Sequence, residues 1–451
     1  MQQKSARMGS MPMSQLILKI SLPIMFSMTI QALYNIVDSI FVSRVGLEAL
    51  TAVSLAFPVQ MLMIAIGVGT GIGINSLISR RLGEKRREDA HDAATNGIFL
   101  GILSWLLFAL FGLFFSARFF EAFTDDPLTL QMGKDYLYIC TVFSFGLFLS
   151  ISVERVMQGT GNTMYNMIMQ CTGAIVNIIL DPIFIFGFGF IPAMGVAGAA
   201  IATVIGQISS LVLGFILNQT RNKELKLHLH GFRPHGQTIK HIYQVGFPSI
   251  IMQSIGSVMI TLMNMILILF SATAVSVLGV YFRLQSFIFM PVFGLTGGLV
   301  AIIGYNFGAG NKTRIYEAIR LALMYAGGIM LTGTLIFQLI PGPMLSLFKA
   351  TPEMLSVGIP ALRIISIGFV LAAGGIILST VFQAIGNGML SLLISIVRQL
   401  VVLLPAAWLL AKIVGLNAVW WAFPIAEVVA FAMCVSMFSW ANKRYLKPLG
   451  E

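Results

Sequence analysis

The chain alternates long apolar runs with short polar stretches, and twelve such runs can be counted. They fall near 16–42, 49–76, 93–117, 134–158, 163–187, 193–217, 242–270, 274–304, 316–340, 355–382, 388–413 and 416–440. At about 1.5 Å of rise per residue, each is long enough to cross the hydrocarbon core of a bilayer, some with tilt. The runs do not alternate apolar with polar positions in segments of about ten, as the strands of a membrane barrel would. Helices are the remaining way to satisfy every backbone group in lipid. The pattern therefore predicts an all-α fold, a polytopic membrane protein of twelve transmembrane helices.

The order of the runs repeats. Pro23 pairs with Pro248 at a spacing of 225 residues, and at that spacing Ala49–Val53 (ALTAV) meets Ala274–Leu278 (AVSVL). Gly69, Gly73 and Gly83 then meet Gly294, Gly298 and Gly308, Pro127 meets Pro352, and Gln158–Asn162 (QGTGN) meets Gln383–Asn387 (QAIGN). After small deletions, Met194–Gln207 is similar to Val414–Glu427. One register held over so many positions predicts a duplicated unit. The expected division is an amino-terminal lobe over 1–227, a cytoplasmic linker over 228–240 and a carboxy-terminal lobe over 241–451, six spans in each lobe. An even number of spans gives both lobes the same orientation, so a pseudo-two-fold axis along the membrane normal relates them, with a cavity between.

Composition sharpens this picture. Hydrophobic residues make up 57% of the 451 and charged residues 10%, far below the roughly 25% of soluble domains. The net charge of +11 has no compact basic domain to carry it, which excludes a nucleic-acid footprint. It lies instead in alternate loops: the amino terminus, the loops after spans two, six and eight, and the tail hold 19 of the 28 basic residues. The positive-inside rule makes that side cytoplasmic and both termini internal, as expected in a cytoplasmic cell membrane. No short h-region with a small-residue cleavage site is apparent, so span one is expected to be retained. Cys140, Cys171 and Cys434 lie in apolar runs without CxxC spacing, as small buried hydrophobes do.

Charges inside apolar runs carry the candidate chemistry. Asp38 stands in span one, with Tyr34 one turn before it on the same face, and an unpaired charge in hydrocarbon costs several kcal/mol. Span five carries Asn177 and Asp181 at i, i+4, with Pro182 just beyond. Both spans run outward, which places both carboxyl groups in the outer half at one depth, and Thr203 in span six reaches a similar depth. Two carboxyls with Tyr, Asn and Thr oxygens suit a cation or a proton. The alternative is that each Asp caps a helix end alone. Pro23, fifteen residues before Asp38, leaves the carbonyl of Lys19 without its helical partner and weakens the ladder there. That predicts a bent helix and either a hinge or a static packing kink.

The segments LYNIVDSIFVSRVGLEALTAVSLAFP, VNIILDPIF and MGVAGAAIATVIGQ, set in a twelve-span repeat, resemble the multidrug and toxic compound extrusion family, in its bacterial and archaeal branch with an acidic amino lobe. The resemblance covers essentially the whole chain. It implies an amino-lobe coupling site at Tyr34, Asp38, Asn177, Asp181 and Thr203, with a kinking proline at Pro23. A coupled Na+ would sit at Asp38, Asp181, Asn177 and Thr203; a coupled proton would use the same carboxyls. Some branches carry a coupling Glu in span seven and an Asp in span ten. Here Phe247–Phe270 and Leu355–Phe382 hold no acidic residue, which argues against a carboxy-lobe site of that kind.

Other charged and small residues each have two readings. Arg398 in span eleven and Glu427 in span twelve fall at comparable depth, as an ion pair that stabilises the lobe or as a substrate or proton-relay pair. Arg283 lines the cavity or bonds loose carbonyls. Glu154 and Arg155 read as a local pair. Gly67–Gly73 (GVGTGIG) lies inside a span without the strand or Lys-Ser of a phosphate loop, and forms two overlapping GxxxG pairs. His228–His235 (HLHGFRPH) reads as a solvated basic loop before a metal site. The 26 Met and 34 Phe residues suit a plastic, aromatic cavity, although core packing and lipid account for most of them.

The expected function is a Na+- or H+-coupled antiporter that exports amphipathic, often cationic, organic compounds, working as a monomer in the bilayer without a cofactor. A flippase for lipid-linked precursors, of the related superfamily, is the alternative within transport; it would favour extra spans or a basic cavity. A channel or receptor would need a filter or pore loop, and none is visible. No HExxH, Ser–His–Asp set or Walker motif appears, so no enzyme chemistry is expected.

Overall fold

The computed structural model describes residues 5–222, 224–227, 232–348 and 350–449. Lys4, Lys223 and residues 228–231 of the expected linker lie outside the described residues. The membrane helices are α1 (Met13–Ser43), α2 (Leu47–Gly83), α3 (Arg87–Glu121), α4 (Pro127–Val142 with Phe145–Gly159), α5 (Thr163–Phe186) and α6 (Gly195–Arg221). The second set is α7 (Gly236–Leu267), α8 (Ala272–Gly308), α9 (Lys312–Leu339), α10 (Pro352–Ser366 with Phe369–Ala384), α11 (Gly388–Ile413) and α12 (Leu416–Leu446). Ten are long and apolar enough to cross a membrane alone, and twelve when each bent pair counts as one span. The all-α, polytopic fold is as the sequence predicts.

The outside of the bundle is greasy by pattern as well as by composition. On α3, Leu103, Leu106, Leu107, Leu110, Leu113 and Phe114 are exposed at the three- and four-residue spacing of one helix face. A soluble helix would bury that stripe. Here it faces outward, as lipid requires.

Spans four and ten depart from the predicted unbroken runs. The two parts of α4 meet at 41° and those of α10 at 48°. Neither break has a proline at it. Side-chain hydroxyls compete with the helix ladder instead. Thr141 Oγ1 donates to the Leu137 carbonyl (2.6 Å) and Ser144 Oγ to the Thr141 carbonyl (2.7 Å). At the equivalent point, 225 residues on, Ser366 Oγ donates to the Arg363 carbonyl at 3.0 Å. Each bent helix also starts alike: Asp126 accepts from the Thr129 N–H (2.8 Å) and Thr351 from that of Met354 (3.2 Å), with proline next. Span seven also ends at Leu267 and not at 270, where Phe270 N–H turns back to the Leu267 carbonyl.

The repeat appears as physical reciprocity. A Cβ on Gly83 would lie 2.0 Å from the Tyr305 carbonyl oxygen, and one on Gly308 would lie 2.1 Å from that of Arg80. Gly69 lies against Ile250, and Gly294 against Met25; Gly73 lies against Ile242 and Gly246, and Gly298 against Ile20 and Ser21. Tyr305 and Arg80, Ile250 and Met25, and Gly246 and Ser21 differ by the same 225 residues. Thus α2 packs on α7 as α8 packs on α1, and α2 crosses α8 near the axis. The overlapping glycine pairs have separate tasks. Gly67 and Gly71 face Ile151 and Arg155 of α4, whereas Gly69 and Gly73 face α7. All these contacts between the halves lie in the parts of α1, α2, α7 and α8 nearest the basic loops.

Backbone contact of this kind tolerates no added carbon. Gly308→Ala is expected to destabilise the detergent-solubilised protein by about 1–3 kcal/mol, read as a lower thermal midpoint. Gly279→Ala, where a Cβ meets nothing within 4 Å, should not lower it.

Candidate functional site

The half of the first six helices away from the basic loops holds a polar cluster in an otherwise apolar setting. α5 packs against both α1 and α6, which brings three sequence-distant segments together. Asp38 lies five residues before the end of α1 and Asp181 five before the end of α5. The two carboxyl groups come within hydrogen-bonding reach of one another. Asp181 is fully buried, and Oδ1 of Asp38 is buried without a hydrogen-bond partner among the described residues.

Asn177 ties the cluster to α6. With its amide oriented by its neighbours, the nitrogen donates to Asp181 Oδ2 at 3.1 Å. Its oxygen then accepts from the Thr203 backbone N–H (3.0 Å) and from Thr203 Oγ1 (3.3 Å). Tyr34 on α1 brings its hydroxyl within reach of Thr203. The five residues singled out in the sequence are therefore neighbours across α1, α5 and α6.

Three further residues belong to this neighbourhood. Gln60 of α2 donates to the Tyr136 hydroxyl of α4 at 3.0 Å and approaches Cys140 Sγ at 3.9 Å. Tyr136 and Cys140 both lie within electrostatic reach of Asp38. Gln60 is an amide inside an apolar run, and that was the available signal; Tyr136 and Cys140 blend into theirs.

The chemistry follows from charge. Two carboxylates about 4 Å apart repel by about 4 kcal/mol even at an effective dielectric near 20. Carboxyl groups that face one another without an arginine or lysine between them need a proton or a metal cation there. The oxygens of Asp38, Asp181 and Thr203 suit a hard monovalent cation, to which Asn177 would have to turn its oxygen, and the carboxyl pair alone suits a proton. Among the described residues no cluster of three His, Cys, Asp or Glu side chains exists to hold a resident metal.

Elsewhere, α1 runs unbroken through Pro23, which is buried. Arg398 Nη1 meets Glu427 Oε1 at 3.3 Å. Glu154 and Arg155 make more than a local pair: Gln158 donates to Glu154 (2.9 Å) and accepts from Arg155 (2.9 Å), and Asn75 lies beside it. Asn75 also reaches the Gly297 carbonyl in the other half at 3.4 Å. Arg283 is exposed on α8. His235 bonds Thr238 (2.8 Å), and its motif partners at 228–231 lie outside the described residues.

Comparison with known proteins bears on all of this. The family model described as MatE matches the chain twice, over residues 23–183 and 248–409, with starts separated by the repeat spacing. The chain is 26% identical over 425 residues to the multidrug export protein MepA of Staphylococcus haemolyticus, covering 94% of this chain and 93% of that one. Among solved structures, a MOP superfamily transporter from Pyrococcus furiosus superposes with a TM-score of 0.90 at 28% identity, covering both chains in full. A multidrug resistance MATE family transporter in an outward-facing conformation superposes at 0.91 and 28% identity, covering 99% of each chain.

An acid facing an acid contributes little to stability. Asp38→Asn in detergent at pH 8 without added sodium is expected to unfold at or above the temperature of the unaltered protein. A loss greater than about 2 kcal/mol would mark Asp38 as a structural partner instead.

Proposed function

The chain belongs to the MatE family of multidrug and toxic compound extrusion transporters, and on that premise we propose a Na+- or H+-coupled antiporter that exports amphipathic, often cationic, organic compounds. The observation that carries the reading is the facing carboxyl pair, Asp38 and Asp181, with Asp38 Oδ1 left without a hydrogen-bond partner among the described residues. The multidrug export naming of the staphylococcal relatives supports the substrate class. The basic loops support a cytoplasmic membrane with both termini inside, and the protein acts as a monomer.

In this reading the halves are shut on the cytoplasmic side by the glycine crossings, and the carboxyl pair faces the outer side. A coupling cation enters from outside and neutralises the pair. That removes the repulsion between α1 and α5 and lets the outer part of α1 close on α5. Pro23, four turns below, is the hinge: without its N–H the ladder is weak there, and the bend costs little. The cation shifts the equilibrium only by its differential affinity for the two states, and a complete reversal needs about 5.5 kcal/mol. Removing a buried like-charge contact supplies energy of that order.

Asp38→Asn and Asp181→Asn should each abolish gradient-driven efflux from vesicles, with the proton and sodium gradients imposed separately. Wild-type export by either variant under both gradients would remove that residue from coupling. Pro23→Ala leaves every site side chain in place, so cation binding should persist while turnover falls at least severalfold. Unchanged turnover would make Pro23 a packing kink.

A further inference from the structure

The spacing of 225 carries the acidic cluster onto the second half of the chain, where the chemistry is different. Met263 stands at the position of Asp38, Met259 at that of Tyr34 and Ile365 at that of Cys140, while Gln285 repeats the amide of Gln60. Met259, Ile365 and Gln285 line a cavity of about 340 Å3. Its wall also carries the rings of Tyr281, Phe282, Phe289, Phe293, Phe369 and Phe423. Tyr281 meets Phe423 edge-on at 5.8 Å and Phe289 meets Phe369 edge-on at 5.2 Å. Met28 of α1, Ser286, Arg398, Gln399 and Glu427 are also among its lining.

We propose that this cavity is a second binding site, for an organic anion with an aromatic body whose carboxylate is held by the guanidinium of Arg398. The contact between Arg398 and Glu427 is single and 3.3 Å long, against the roughly 2.7–2.9 Å of a tight charge-assisted bond. It is also the only hydrogen bond that Arg398 makes among the described residues. An arginine has five N–H donors in a planar fork that matches a carboxylate, so most of its capacity is uncommitted. The Arg398 side chain keeps 29% of its exposure, and it opens onto the ring-walled space. A pair left this open adds little to stability, so packing of the lobe alone does not account for it.

Backbone geometry supports the same reading. Arg398 and Gln399 lie in a π-helical turn, Val397–Leu403, within α11. Such turns are rare in α-helices and are frequently found at functional sites. Pro405 follows the turn and has no N–H to give to the Val401 carbonyl. The turn presents Arg398 and Gln399 together to the cavity, where Gln399 is fixed by its bond to Ser395 Oγ at 2.8 Å.

Glu427 then acts as the ligand's competitor. A bound carboxylate displaces it from the guanidinium, and when the ligand leaves the pair re-forms. The aromatic walls take the body of the ligand, as in other largely apolar pockets with few polar groups. The site does not depend on the coupling reading of Asp38 and Asp181, which occupy the other half.

Equilibrium dialysis of tritiated 2-naphthoate against the full-length protein in nanodiscs, with no gradient imposed, tests the assignment whether or not coupling holds. Saturable binding is expected from the unaltered protein. Glu427→Gln should tighten it severalfold, Arg398→Gln should weaken it at least tenfold, and 2-naphthyltrimethylammonium should not compete. Ser286→Phe, at an exposed position of the wall, fills the cavity without touching the ion pair and should abolish binding. If Arg398→Gln does not fold, Glu427→Gln and Ser286→Phe decide the matter. Absence of saturable binding, full binding by Arg398→Gln or by Ser286→Phe, weaker binding by folded Glu427→Gln, or equal competition by the cation would each overturn the proposal.

Discussion

At Gly83 one added carbon would sit 2.0 Å from a carbonyl oxygen of the other half, and at Gly308 the same carbon would sit 2.1 Å from the reciprocal one. Everything else in the architecture is arranged around this crossing of bare backbones. In lipid the hydrophobic effect does not drive helices together, since a tail is as apolar as a leucine side chain. Close packing must do it, and glycine gives the closest approach. The crossing is dense and lies at the basic-loop end.

The acidic cluster lies at the other end of the same helices. α1 connects them: its first half touches α8 through Ser21 and Met25, and its second half carries Tyr34 and Asp38. A change of charge near residue 38 therefore acts on a rod whose lower part is already held. The two ends place opposite demands on their side chains. Packing at the crossing asks for the smallest residue, whereas the cluster keeps two acids together at a cost in stability, a pattern typical of functional sites.

Much of this was legible in the sequence because lipid punishes exceptions. A carboxylate in an apolar run stands out, so Asp38 and Asp181 declared themselves, and the i, i+4 spacing joined Asn177 to the second. The repeat was legible from prolines and glycines, whose backbone roles fix their spacing. Tyr136 and Cys140 were not, because a phenol or a thiol costs little in a membrane helix and gives no depth signal. The breaks in α4 and α10 were hidden for a related reason. Thr141, Ser144 and Ser366 are ordinary helix residues until their hydroxyls turn back on the ladder. The π turn at Val397–Leu403 has no spacing of its own to read, and only Pro405 hints at it.

Surfaces that meet through the same residues in both directions are those of a two-fold homodimer. The chain is in that sense a dimer of six-helix units written as one polypeptide. In a true homodimer every substitution appears twice, and an acid beside the axis brings its twin. A tandem chain is free of that rule. Asp38 can stand opposite Met263, and Glu427 opposite Gln207, without either half having to copy the other. Joining two equal parts end to end is what permits unequal work, provided the glycines on their shared axis stay bare.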